Sequence, residues 1–184
     1  MLDRRLFLFG IASTILGPDA VLAHNSTYKL SPKYEPTRIP YRRYPQGTVV
    51  VDTGSRFLYF VEGGGYATRY GVGVGRAGLS LKGRAVVGRK AKWPSWTPTA
   101  SMIKRSPGQY ARYAKGVPGG PDNPLGARAL YLYRNGQDTM YRIHGTNDPS
   151  SIGKAVSNGC IRMLNAHVER LYDRIAIGAT VVVL

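Results

Sequence analysis

From Gly47 onward, glycine and asparagine turns cut the chain into short runs of β-branched and aromatic residues, a punctuation that suits strands and little else. Thr48-Val49-Val50-Val51-Asp52 and Arg56-Phe57-Leu58-Tyr59-Phe60-Val61 are separated only by Thr53-Gly54-Ser55. Gly63-Gly64-Gly65 then leads into Tyr66–Val74, so the first part of the domain reads as an antiparallel meander. Further on, runs at 129–134 and 139–144 flank Asn135-Gly136-Gln137-Asp138, and Asn-Gly is the strongest short hairpin signal. One segment carries a helical period: Val168, Leu171, Tyr172 and Ile175 follow Asn165, which suits an N-cap, and Gly178 is the expected stop. Thr180–Leu184 closes the pattern as a buried strand. The expectation is a mostly β domain with one main helix. Residues 105–128, rich in Gly and Pro and without any period, are expected to form a long loop, either a lid over a site or plain surface.

The first 23 residues read as a secretory signal: Arg4-Arg5, an apolar stretch from Leu6 to Leu16, and a small residue, Ala23, at a cleavage position. The stretch is shorter than the roughly 20 residues a membrane span needs. The arginine pair is compatible with either general or twin-arginine export, and an uncleaved amphipathic anchor is the alternative. Residues 24–46, rich in Pro, Tyr, Lys and Arg, read as an extended basic leader or a disordered linker, and 47–184 as the domain. Residues 1–23 hold two basic and two acidic residues, so their removal leaves the formal net charge of +16 unchanged. Such a field gathers polyanions. For an exported protein those are wall peptides, acidic glycans and anionic lipids rather than nucleic acid, and no membrane span is expected after signal removal.

Cys160 is the only cysteine, so no internal disulfide can form. It lies in Ser157-Asn158-Gly159-Cys160-Ile161-Arg162-Met163, sixteen positions after His144-Gly145-Thr146. Glycine before the sulfur and arginine after it suit a tight turn that presents a nucleophile. A thiol reacts as thiolate, and a nearby imidazole, cation or ring of amides lowers its pKa. His144, at the end of a strand, is the candidate base. His24 stands at the mature start, and His167 reads as a solvated or helix-end residue. Amides around Gly159 and Cys160 can face an oxyanion. Arg162 projects on the side of Cys160 and is either a clamp for a substrate carboxylate or an ion-pair partner. A zinc site would need three or four converging ligands, and Asp148 and Asp173 have no clear pairing with Cys160 or His144. Gly73-Val74-Gly75-Arg76-Ala77-Gly78 fits G-x-G-x-x-G, but no helix follows it and no acidic residue stands near the required spacing, so turn and bulge roles explain its glycines.

His144-Gly145-Thr146 with Ser157-x-Gly159-Cys160-Ile161-Arg162-Met163-x-Asn165 strongly resembles the L,D-transpeptidase catalytic domain, the YkuD family. Trp93-Pro94-Ser95-Trp96-Thr97-Pro98, Asn123-Pro124-Leu125-Gly126 and the ending Ile177 to Val183 agree, so the likeness covers residues 47–184. The resemblance implies a β-sandwich-like domain in a periplasmic or cell-wall enzyme. It implies that Cys160 forms a thioester with a peptidoglycan stem peptide and passes the acyl group to a second stem, giving a 3→3 cross-link. His144 would be the base, oriented by the Gly145 backbone carbonyl. Gly159 and Cys160 amides would form the oxyanion hole, Ser157 would brace the turn, Ser157, Asn158 and Arg162 would line the substrate site, and carbapenems would acylate the thiol. No metal or organic cofactor is implied. Many members carry a second histidine where this chain has Asn158, which alters hydrogen bonding beside the site. The same thioester could instead be given to water, trimming stems as a carboxypeptidase, or to an envelope protein. A non-catalytic peptidoglycan-binding module is the reading of another class.

Overall fold

The computed structural model describes residues 28–184. The expected signal segment, residues 1–23, and His24 lie outside the described residues. In chain order the elements are β1 Thr37–Pro40, β2 Val49–Asp52, β3 Phe57–Gly63, β4 Tyr66–Gly71, β5 Val74–Gly75, β6 Gly83–Lys92, α1 Ala100–Arg105, α2 Pro107–Tyr110, β7 Arg128–Arg134, β8 Gln137–His144, β9 Ala155–Ser157, β10 Ile161–Arg162, α3 Asn165–Arg174 and β11 Thr180–Val183. Nine strands form one sheet in the order β1-β4-β3-β2-β11-β6-β7-β8-β10, and β5 pairs with β9 in a second, two-stranded one.

The domain is mostly β, and both wings of the large sheet serve one core. Leu58 and Tyr70 from one wing share a core cluster with Leu130, Ile143 and Ile161 from the other and with Val168 and Leu171 of α3. Gly73, just after β4, bridges to Arg162 of β10, which ties the far ends together and gives the sandwich-like form. Val49, Val50 and Val51 are all fully buried, as a β-branched run in a central strand covered on both faces should be. Asn135 and Gly136 both take positive φ (50° and 76°), the conformation a two-residue I′ hairpin turn requires between β7 and β8.

Several expectations change. Asn165 is the first residue of α3 rather than its cap, which is Leu164. Its Oδ1 instead accepts from the Ala127 and Thr146 amides, each at 3.1 Å, so it clamps two loops. The helix ends at Arg174, before Gly178, and Lys90 donates to the Tyr172 and Ile175 carbonyls at 2.6 Å, satisfying orphan acceptors of its last turn. Residues 105–128 are not structureless. α1, capped by Thr99, runs into α2 and a 3-10 turn at Ala111–Tyr113. Trp96 packs edge-on against Tyr110 and Tyr113, and the buried Asn123 side chain donates to the Val117 and Pro118 carbonyls.

Residues 24–46 show no strand period, yet β1 pairs with β4 along Thr37–Pro40. The Tyr34 ring covers Gly71 and Gly153, where any Cβ would collide with it, and packs 5.6 Å from the Phe57 ring. His167, expected to be solvated, is 6% exposed. It faces Glu35 at 3.7 Å and the Tyr70 ring, because α3 turns that position toward β4 and the segment before β1. Among the described residues no helix is long and apolar enough to cross a membrane.

Candidate active site

β10 lies parallel to β8, with Ile161 opposite Ile143 and Arg162 opposite His144. Residues opposed in a ladder share a face. Ile143 and Ile161 fill the core, at 0% and 3% exposure, so His144 and Arg162 project to the other side. Alternation places Cys160, one residue before Ile161, on that same side. Its thiol points at the Met140 carbonyl of β8, 3.9 Å away. Met140 sits at φ 63°, in the left-handed region, within the stretch where β8 slips register against β7. The thiol of the nucleophile candidate thus approaches β8 at Met140, and the base candidate ends that strand four residues on.

His144 is 4% exposed, and its Nδ1 is 2.6 Å from the Gly145 carbonyl. A carbonyl can only accept, so Nδ1 carries the proton and Nε2 keeps its lone pair. Burial holds the imidazole far below its ordinary value, at about 3, with the Arg162 charge adding to the effect and the Gly145 carbonyl opposing it. Burial also pushes the Cys160 thiol up, against the Arg142 backbone amide and the Arg142 and Arg162 charges. The sequence expectation of a thiol with lowered pKa is therefore reversed. The pair rests as neutral thiol and neutral imidazole because loss of solvent outweighs the nearby cations.

The turn around the sulfur is tightly built. Ser157 donates from Oγ to the Cys160 carbonyl at 2.6 Å and accepts the Gly159 amide at 3.1 Å. The Gly159 amide, expected as an oxyanion donor, is thus already engaged. Among the described residues no acceptor holds the Cys160 amide, which leaves it as the available donor. Gly159 takes φ 124°, and a Cβ there would lie 2.5 Å from the Leu79 carbonyl and 2.6 Å from the Tyr141 ring. Gly75 is needed for a related reason: its Cβ would come within 2.8 Å of Gly159 Cα. The Gly73–Gly78 run therefore supports the nucleophile turn by close backbone approach and is followed by no helix.

Arg162 meets Asp148 at 3.8 Å, a long and partly exposed pair, while its backbone bonds Gly73 in both directions. Asn158 accepts from Arg76 at 3.1 Å and Arg105 at 3.5 Å, and donates to the Tyr110 hydroxyl at 2.8 Å. Those contacts bring the α1–α2 segment against the nucleophile turn. Sequence reasoning missed Arg142, whose charge acts on both candidate groups and which is chelated by Asp138 at 2.7 and 2.9 Å. Counting back two from His144 along the strand would have placed it on the same face. Asn165 reads in the sequence as a cap and as part of the motif, but its clamp gave no such signal, since its partners are 19 and 38 residues away. Among the described residues no three His, Cys, Asp or Glu side chains converge.

Comparisons with known proteins point the same way. The YkuD model, the L,D-transpeptidase catalytic domain, matches residues 46–183. The probable L,D-transpeptidase YbiS of Escherichia coli K12 is 34% identical over 138 residues, which cover 74% of this chain and 44% of that protein. The probable L,D-transpeptidase ErfK/SrfK of Salmonella typhimurium is 36% identical over 145 residues, covering 76% and 44%. The chain thus spans less than half the length of these curated relatives. A solved structure from Brucella melitensis, described as a probable carnitine operon oxidoreductase, is 48% identical with a TM-score of 0.58, covering 84% of this chain and 96% of that one. An L,D-transpeptidase from Mycobacterium smegmatis shares the fold at a TM-score of 0.54 and 17% identity, over 74% of this chain and 58% of that one. With His144, Cys160 and Arg162 on one side of the β8–β10 pair, this chain belongs to the YkuD family of L,D-transpeptidase catalytic domains, a family of acyltransferases.

Proposed function

We propose that this protein is an exported cysteine acyltransferase that joins peptidoglycan stems by 3→3 cross-links. The observation that carries the reading is the His144 tautomer: Nδ1 is committed to the Gly145 carbonyl, so the basic Nε2 is kept for the thiol on the same face. In the first step Nε2 takes the Cys160 proton as the sulfur attacks the carbonyl at the L-centre of diaminopimelate in a tetrapeptide stem. The C–S bond forms, the C–N bond to the terminal D-alanine breaks, and the imidazolium returns its proton to the departing amine. In the second step the side-chain amine of another stem attacks the thioester. An amide forms, the C–S bond breaks, and His144 carries the amine proton back to sulfur.

The Cys160 amide, which has no acceptor among the described residues, would meet the oxyanion of each step. Ser157 fixes the turn through its two hydrogen bonds, and Arg162 adds positive charge on the same face. A net charge of +16 favours approach of carboxylate-rich stems. The chemistry runs through protein groups alone and calls on no cofactor.

Purified protein incubated with tetrapeptide-bearing muropeptides and followed by mass analysis tests this reading. Cross-linked dimer with release of D-alanine is the expected product, and Cys160→Ala should make none. Trimmed monomer would assign the thioester to water instead. No product from any stem would leave a wall-binding module.

A further inference from the structure

We infer that Arg76 and Arg105 form a subsite for a carboxylate of the acyl-donor stem, an inference that rests on the acyl-transfer reading above. Both guanidiniums converge on one neutral atom, Asn158 Oδ1, at 3.1 and 3.5 Å. Neither meets a carboxylate among the described residues, although Arg38, Arg128, Arg142, Arg162 and Arg174 all do. Two cations drawn to a single amide oxygen repel one another and leave most of their donors free. An incoming carboxylate would relieve the repulsion and accept charge-assisted hydrogen bonds from both.

Both arginines are exposed, and both are anchored through their backbones. Arg76 follows Gly75, whose backbone packs on Gly159, and its own amide donates to the Ser157 carbonyl at 3.1 Å. Arg105 ends α1, where helix carbonyls favour a cation, and the next turn supplies the Tyr110 hydroxyl that orients the Asn158 amide. With Nδ2 donating to that hydroxyl, Oδ1 is turned toward the guanidiniums. Asn158 stands two residues before Cys160, so at most about 7 Å of backbone separates the subsite's anchor from the nucleophile. That is the scale of one amino-acid unit, the distance between a scissile carbonyl and a carboxylate on the residues flanking it. Two sources fit: the side-chain carboxylate of the acyl residue and the terminal carboxylate of the leaving residue.

The test uses three synthetic tetrapeptide stems: both carboxylates free, side-chain carboxylate amidated, and terminal carboxylate amidated. Binding is measured by calorimetry on Cys160→Ala protein with and without Arg76→Gln and Arg105→Gln, and turnover on the wild-type cysteine. The free stem should bind about tenfold more weakly to the double glutamine variant, and Arg76→Lys with Arg105→Lys should recover most of the loss. One amidated stem should bind weakly to begin with and be indifferent to the arginine changes, which identifies the carboxylate. The difference should shrink as salt rises. Equal loss on all three stems, or none on the free one, overturns the subsite. Arginine-dependent binding without turnover of any stem would instead uphold the subsite and remove the transferase reading.

Discussion

For the acyl transfer proposed above, a buried imidazole that is neutral at pH 7 and a thiol pushed above its ordinary value call for proton transfer during attack rather than before it. The free enzyme then holds little thiolate at neutral pH, and a small electrophile that needs thiolate reports it. Alkylation of Cys160 by iodoacetamide, followed by intact mass between pH 5 and 10, should rise once, with a midpoint above that of an ordinary cysteine near 8.5. A preformed thiolate–imidazolium pair would give fast alkylation already at pH 5 to 6, and that result would sink the neutral pair. Cys160 and His144 stood out in the sequence as candidates because a lone cysteine behind glycine and a strand-end histidine are unusual on their own. Their protonation was not legible there, since it depends on burial: no count of nearby arginines tells how much solvent β8, β10 and the 123–127 loop exclude.

Most of the sheet was legible for the same reason that it is stable. β2, β3, β4, β7 and β8 carry β-branched or aromatic residues between turns, and the Asn135-Gly136 hairpin falls where its dipeptide predicts. β1 escaped because Ile39 is its one β-branched apolar residue and all of its partners lie on β4. β9 and β10 escaped because strands of three and two residues have no period to read. α3 was read correctly as a helix and wrongly at its start, since an asparagine there suits a cap and the clamp is visible only in three dimensions. That clamp makes α3 part of the site: Asn165 Oδ1 holds the Ala127 and Thr146 amides and lies against Gly145, whose carbonyl orients His144. Asn165→Ala would orphan two amides of buried residues and should cost about 3 kcal/mol, read from urea midpoints. Asn165→Asp keeps the acceptor and should stay within about 1 kcal/mol. If alanine and aspartate prove equally damaging, the hydrogen bonds are not what matters.

At the level of the whole molecule, two buried histidines link folding to pH in a window of their own. His144 titrates near 6.5 when unfolded and at about 3 when folded, and burial also lowers His167. Folded values depressed below unfolded ones mean that the stability these residues contribute is complete above pH 6.5 and drains away as pH falls toward 3. The carboxylates act later. Glu62, drawn down to about 2 by Thr68, Arg174 and Arg38, loses its contribution only below about 4.5, and Asp52 is lowered from 3.8. Between pH 6.5 and 4.5 the unfolded chain therefore takes up protons that the folded one refuses at its histidines. Once the unfolded imidazole is mostly charged, His144 alone should lower the unfolding free energy by about 1.4 kcal/mol per pH unit. Urea midpoints at pH 6.5, 5.5 and 4.5 should fall steeply in the wild type and distinctly less in His144→Gln, and the two should share one decline only below about pH 3, where the folded imidazole of the wild type is charged as well. The general repulsion of a chain with net charge +16 grows alike in the two proteins, so it cannot imitate the difference. Parallel curves for the two proteins between pH 6.5 and 4.5 would mean that His144 charges in place and is not the buried neutral base.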